Sequence, residues 1–265
     1  MRLFIFLATS YTLLLNIASC TSVNGGSTAN SIDTIKYEYR TAKFVQESDR
    51  IKDSSLLFRS SITFPLFDKK QNAVLADSIN TFIRYTTFGG YQTAEEAMKT
   101  FVDESIRQTK DEEGLPMLGW ESMDSITVIS NTPSVVSLRR KHYSFTGGAH
   151  GNPSETYTCF SASRGKRLRL EDVAEAGRLS ELEAISIAQL KQDRGIKEPS
   201  TLEESGLFVA KDELPLPASF ALTRQGLLMA YDYYEIASYA DGVISYTIPY
   251  SKLKGILKPE FILSE

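Results

Sequence analysis

At 265 residues, with 42% hydrophobic and 23% charged side chains, the chain can bury one large core or two small ones and reads as globular. A net charge of -4 and a pI near 5.4 exclude an ordinary nucleic-acid partner, which needs a basic face. The one basic cluster, Arg164-Gly165-Lys166-Arg167-Leu168-Arg169, is short, is followed by Glu171-Asp172, and reads as a hairpin turn with a solvated face.

The N-terminus carries the clearest signal. Arg2 supplies a short positive region, Leu3 to Ala18 is almost uncharged and apolar, and Ile17-Ala18-Ser19-Cys20 places small residues before a cysteine. The run is short for a membrane-spanning helix and ends as signal peptides do. This resembles the lipobox of bacterial lipoproteins, in which Cys20 would be lipidated and become the first mature residue. The alternative is a plain secretory signal with a chance cysteine. Residues 1–19 are thus expected to be a lipoprotein signal peptide. Residues 20–32, rich in Ser, Thr, Asn and Gly, are expected to form a flexible tether. Neither residue 21 nor 22 is acidic, which by analogy with lipoprotein sorting favours a lipid-anchored protein of the outer membrane in the bacterial cell envelope.

Along the mature chain, Ile35 to Thr41 alternates apolar and polar residues as a half-buried strand does, and Leu56 to Leu66 repeats the pattern. Asn72 to Tyr85 changes to helical spacing, with Leu75, Ile79, Phe82 and Ile83 on one face. Thr93-Ala94-Glu95-Glu96 matches a capping box, opening a helix whose stripe is Ala97, Met98, Phe101, Val102 and Ile106. Strands follow at Trp120 to Ile129, Ser134 to Phe145 and Ser154 to Phe160. Leu179 to Leu190 is read as a helix, Pro199 to Leu207 as a short helix or loop, and Phe220 to Tyr231 as a hairpin turning at Gln225-Gly226. Ile244 to Ile248 is the last strand, and Tyr250 to Leu257 a short terminal helix. Strands and helices mix without strict alternation. The expected class is therefore α+β, mainly antiparallel sheet with helices packed on it, in two associated α/β units at 33–133 and 134–258.

Chemistry is expected in His142-Tyr143-Ser144-Phe145-Thr146-Gly147-Gly148-Ala149-His150-Gly151-Asn152, which holds both histidines of the chain. Paired glycines stop the preceding strand, because they tolerate backbone angles that other residues resist. The loop reads either as a ligand-facing glycine loop or as a wide hairpin with backbone needs of its own. Hydrolysis would ask for His150 as base, Asp172 or Glu155 as its partner, and Ser144 or Ser154 as nucleophile. No Gly-x-Ser-x-Gly elbow and no HExxH metal motif occurs, and neither cofactor nor metal is expected. If Cys20 is lipidated, Cys159 has no disulfide partner and reads as a small buried hydrophobe.

The motif Tyr143…Gly147-Gly148-Ala149-His150-Gly151-Asn152, followed by Gly165-Lys166…Leu168…Leu170-Glu171-Asp172, resembles the extracytoplasmic domain of RsiV-like and PdaC-like bacterial proteins. So do Tyr231-Asp232-Tyr233-Tyr234-Glu235-Ile236-Ala237-Ser238-Tyr239-Ala240-Asp241-Gly242 and Thr247-Ile248-Pro249-Tyr250-Ser251-Lys252-Leu253. Tyr233 and Ser238 stand where that family often has prolines. The resemblance implies an α+β domain outside the cytoplasmic membrane, and lysozyme or a peptidoglycan fragment as partner. It does not carry over deacetylase chemistry, which needs an aspartate and two closely spaced histidines on a metal.

The expected function is thus a non-catalytic binding module anchored in the envelope. Its expected binding residues are Tyr143, Gly147, Gly148, His150, Asn152, Tyr233, Tyr234 and Tyr239, since tyrosines offer flat faces with a polar tip. An envelope hydrolase using His150 and a structural lipoprotein in a larger assembly are the alternatives.

Overall fold

The computed structural model describes residues 35–47, 57–111 and 119–263. The expected signal peptide, Cys20 and the tether lie outside them. Six strands form the larger sheet: β1 (Tyr37–Glu47), β2 (Leu57–Phe67), β3 (Glu121–Asn131), β4 (Val135–Phe145), β5 (Asn152–Ser161) and β6 (Lys166–Arg167). They lie in chain order, and every neighbouring pair is antiparallel except β2 with β3. A parallel pair needs a long crossover. Here it is supplied by α1 (Ala73–Thr87) and α2 (Ala94–Asp111).

Local sequence explains both helices. Asn72 caps α1, its Oδ1 accepting from Leu75 N at 3.1 Å, while its Nδ2 donates to Ala162 O at 3.0 Å and ties the helix start to the far sheet edge. Leu75, Ile79 and Ile83, four residues apart, are buried on one stripe. Thr93 Oγ1 accepts from Glu96 N at 3.1 Å, as a capping box requires; the Glu96 carboxylate accepts from Gln92 N, one residue earlier than the expected motif. Met98 and Val102 turn inward from α2.

The two faces of the large sheet bury different cores. Ile62, Ile126, Val136, Leu138 and Phe160 lie under the helices. Val135, Tyr157 and Cys159, out of phase with these on β4 and β5, join the second core. That core belongs to a smaller antiparallel sheet of β7 (Ser219–Leu222), β8 (Leu227–Tyr231) and β9 (Ile244–Ile248). A four-residue helix α3 (Leu170–Val173) and the helix α4 (Leu179–Arg194) complete this half; α4 ends on Gly195, whose φ of +68° suits the left-handed cap. The α+β class with mainly antiparallel sheet is what the structure shows. Strands β4 to β6, which the sequence assigns to the second unit, are hydrogen-bonded into the sheet of the first. The expected terminal helix shrinks to a single 3-10 turn, Tyr250–Lys252, and 199–207 forms turns. Among the described residues no helix is long and apolar enough to cross a membrane.

The halves are joined by a buried polar seam. Ser137 Oγ donates to Leu222 O at 2.8 Å, and Leu222 N donates to Cys159 Sγ at 3.3 Å. Burial pushes the Cys159 thiol up to about 11. A neutral, enclosed thiol is a poor nucleophile. In a Cys20→Ser background, a thiol-specific disulfide reagent at pH 8 should therefore leave the native protein unmodified and label one thiol after denaturation. Native labelling within minutes would mean that the seam opens.

Candidate functional site

The β4–β5 hairpin presents the loop of residues 146–151. Gly147 has φ +86° and lies beside Trp120, Gly148 is open to solvent, and neither lines the groove described below. Asn152 is exposed at the first position of β5, paired with Ser144. Geometry makes its strictest demand at Gly151. A Cβ there would fall 2.2 Å from Tyr143 Cε2, so only glycine lets the Tyr143 ring lie against the backbone.

His150 is exposed, and its Nδ1 lies 2.8 Å from Gly151 O, which only accepts, so Nδ1 carries the proton. Its ring stacks on Tyr239 with centroids 4.6 Å apart, and the Tyr239 hydroxyl donates to the same Gly151 O at 3.2 Å. Tyr233 and Tyr234 each lie 5.6 Å from Tyr239. The expected residues His150, Tyr233, Tyr234 and Tyr239 are thus one surface cluster, reached from both halves of the molecule. Tyr231, on the same segment, is instead core: it is 1% exposed, donates to Pro215 O at 2.6 Å, and burial raises its hydroxyl pKa.

Asp232 holds this cluster in place. Its Oδ1 accepts from Glu155 N and from Tyr233 N, both at 2.9 Å, and its Oδ2 accepts from Ser154 Oγ at 2.5 Å. The outward amides of β5 are capped again at Tyr157, whose N donates to Ser219 Oγ at 2.8 Å. β6 pairs only with Phe160 and Ser161, so the rest of β5 is an open edge that would invite foreign pairing, and side chains of the other half satisfy it at Glu155 and Tyr157.

Beside the cluster lies an open groove of about 380 Å³ on the sheet face opposite the helices. Cross-strand register arranges two rows on that face. One is Lys43, Ser61, Met123, Tyr143 and Pro153; the other is Thr41, Thr63, Ser125, Lys141 and Glu155. Thr41 and Thr63 share a 3.0 Å hydroxyl contact, and Lys141 pairs with Glu155 at 3.1 Å. Glu155 also accepts from the Tyr157 hydroxyl, which burial and then that bond push up to about 12. Tyr233 closes the β5 end of the groove. The small sheet covers β4 and β5 further along, so β1 to β3 keep this face accessible, with Met123 42% exposed.

The hydrolase set is not brought together. Asp172 sits on α3, where the Arg169 N–H and then nearby Lys166 hold its carboxyl below the usual range. Ser154 is engaged by Asp232, and Glu155 by Tyr157 and Lys141. The carboxylate–histidine contact that does form is Asp124 with His142 Nδ1 at 3.2 Å, on the helix side, where Asp124 also accepts from Arg140 Nε at 3.0 and 3.1 Å. Among the described residues, no group of acidic, histidine or cysteine side chains is arranged to hold a metal.

An α+β domain of this fold has known counterparts. Residues 51–153 match the family model described as deacetylase PdaC, and residues 171–251 match a family of unknown function, DUF3298. The two matched segments follow one another along the chain. It is 25% identical over 193 residues to the peptidoglycan-N-acetylmuramic acid deacetylase PdaC of Bacillus subtilis (strain 168), covering 70% of this chain and 40% of that relative. The match therefore spans 40% of that protein's length. The fold is shared with a DUF3298 family member from Bacteroides fragilis, at 21% identity and a TM-score of 0.73, covering 86% of this chain and 96% of the other. It is shared too with a DUF3298 protein from Pseudomonas aeruginosa PAO1, at 19% identity and 0.64, covering 87% and 98%.

Two residues that build the site escaped the sequence reading, Asp124 and Asp232. Asp124 left a trace: it stands in phase with Ile126 on β3, so the alternation that buries the isoleucine buries the carboxylate as well. Asp232 left none, because the partners it ties to the other half, Glu155 N and Ser154 Oγ, are 77 and 78 residues away.

Proposed function

We propose that the protein is an extracytoplasmic, lipid-anchored envelope protein whose folded part binds peptidoglycan glycan without cleaving it. The observation that carries this reading is the groove itself. Hydroxyls of Ser61, Thr63 and Ser125 and the Tyr143 ring line it, and Tyr233 closes its end, backed by Tyr239, which stacks on His150. Sugar rings present an apolar face and a rim of hydroxyls, and this lining offers a partner for each. Similarity to an N-acetylmuramic acid deacetylase supports the choice of glycan. Lipidation of Cys20 would place the groove near the wall, and the signal-like N-terminus supports that placement.

Co-sedimentation with purified peptidoglycan tests the reading. The soluble protein from Thr21 onward should pellet with it, and Tyr239→Ala, which removes the stack on His150 and the bond to Gly151, should weaken binding about tenfold, or 1.4 kcal/mol. Tyr85→Ala, an exposed tyrosine on α1, should leave binding unchanged. Equal losses in both variants, or no co-sedimentation at all, would overturn the proposal. Lysozyme, the protein partner implied by the resemblance, is separated by titrating it with the protein in the absence of glycan. A complex there would move the reading from glycan to enzyme.

A further inference from the structure

The groove ends at the tyrosine wall, but the two rows that floor it run on across β3 and β2 to β1. Resting on the glycan reading above, we infer that this face takes an extended glycan laid perpendicular to the strands, at about one sugar per strand from β4, beside Tyr233, to β1, and that Lys43 at its far end meets an acidic sugar. Strands stand about 4.8 Å apart, close to the advance of one pyranose along an extended β-linked chain. Each strand contributes one residue to each row, so sugars over β2 to β4 meet an apolar or hydroxyl contact from one row and a hydroxyl or charged contact from the other, and at β1 the first of these becomes Lys43.

Charge fixes which glycan fits. Of the other cations on this face, Lys141 has Glu155 at 3.1 Å and Arg59 has Glu121 at 3.6 Å, while Arg139 is half-buried beside Tyr157, away from β1. Among the described residues Lys43 has no carboxylate within ion-pair distance, and it is exposed at the open end of the row. A cation there complements the lactyl carboxylate of a muramic acid residue several sugars from the wall. A disaccharide seated at the wall would not reach it.

The test is a calorimetric length series of alternating N-acetylglucosamine–N-acetylmuramic acid oligomers, from disaccharide to hexasaccharide, with the wild-type domain and Lys43→Gln. The expected result is at least a tenfold gain in affinity from disaccharide to tetrasaccharide and little beyond. Lys43→Gln should remove most of that gain and leave disaccharide affinity unchanged. Equal affinity for disaccharide and tetrasaccharide would overturn the extended path while leaving glycan binding at the wall intact. A gain with length that Lys43→Gln does not alter would overturn the role of the lysine. Binding at no length would sink this inference together with the proposal beneath it.

Discussion

Alanine at position 226 should cost the protein about 3–5 kcal/mol, the largest single loss expected anywhere in the small sheet. Gly226 closes the β7–β8 turn with φ +152°, a conformation that side chains resist. A Cβ there would stand 2.1 Å from Ile248 O and 2.8 Å from Ile248 C. Those atoms are backbone of β9, already paired with Leu227, so the obstacle cannot swing aside as a side-chain tip would. Strain of about 1–3 kcal/mol and overpacking of similar size add at one position. The turn also carries Thr223, whose N and Oγ1 both donate to Gly226 O and whose carbonyl accepts from the Tyr250 hydroxyl. Distortion would spread from there into the seam at Leu222. Urea unfolding followed by circular dichroism measures the loss. A change below about 1 kcal/mol would mean that the sheet relaxes around the turn.

The second large effect falls on the sheet that supports the groove. Asp124→Ala should destabilise the protein by about 2–4 kcal/mol, because it strands Arg140 and His142 beside an apolar core. The carboxylate is 6% exposed and receives a two-pronged bond from Arg140. Arg140 keeps 27% of its side chain in contact with solvent, which places the expected cost toward the lower end. Breaking the pair from one side should hurt more than replacing both partners, so Asp124→Leu with Arg140→Met should recover much of the loss. A single-variant cost below about 1 kcal/mol would show an ordinary surface ion pair.

These effects show where sequence and structure part company. Helices α1, α2 and α4, the alternating strands and the Gln225-Gly226 hairpin are legible because each is fixed by neighbours in the chain. Leu75, Ile79 and Ile83 need only helical spacing to share a face. The parallel pairing of β2 with β3 was not legible, since it depends on how two helices pack across the sheet. The tyrosines divide in the same way. Continued alternation would treat Tyr231, Tyr233 and Tyr239 alike, but Glu235 N bonds back to Asp232 O, Tyr234 takes φ +63°, and the chain turns out of the strand. Tyr231 then fills the core while the next two rings reach the surface. Conversely, Gly147 and Gly148 drew attention as a pair, yet Gly151 is the glycine whose hydrogen a ring touches. A close approach of that kind depends on a partner that spacing does not reveal.

The proposed seat of the glycan is the groove beside Tyr233 on the open sheet face. Amide and methyl chemical-shift mapping with a muropeptide tetrasaccharide tests it directly. Shifts should concentrate at Ser61, Thr63, Met123, Tyr143, Tyr233 and Tyr239, with α1 and α2 unaffected. Shifts centred on the helix side, or none at millimolar ligand, would contradict it.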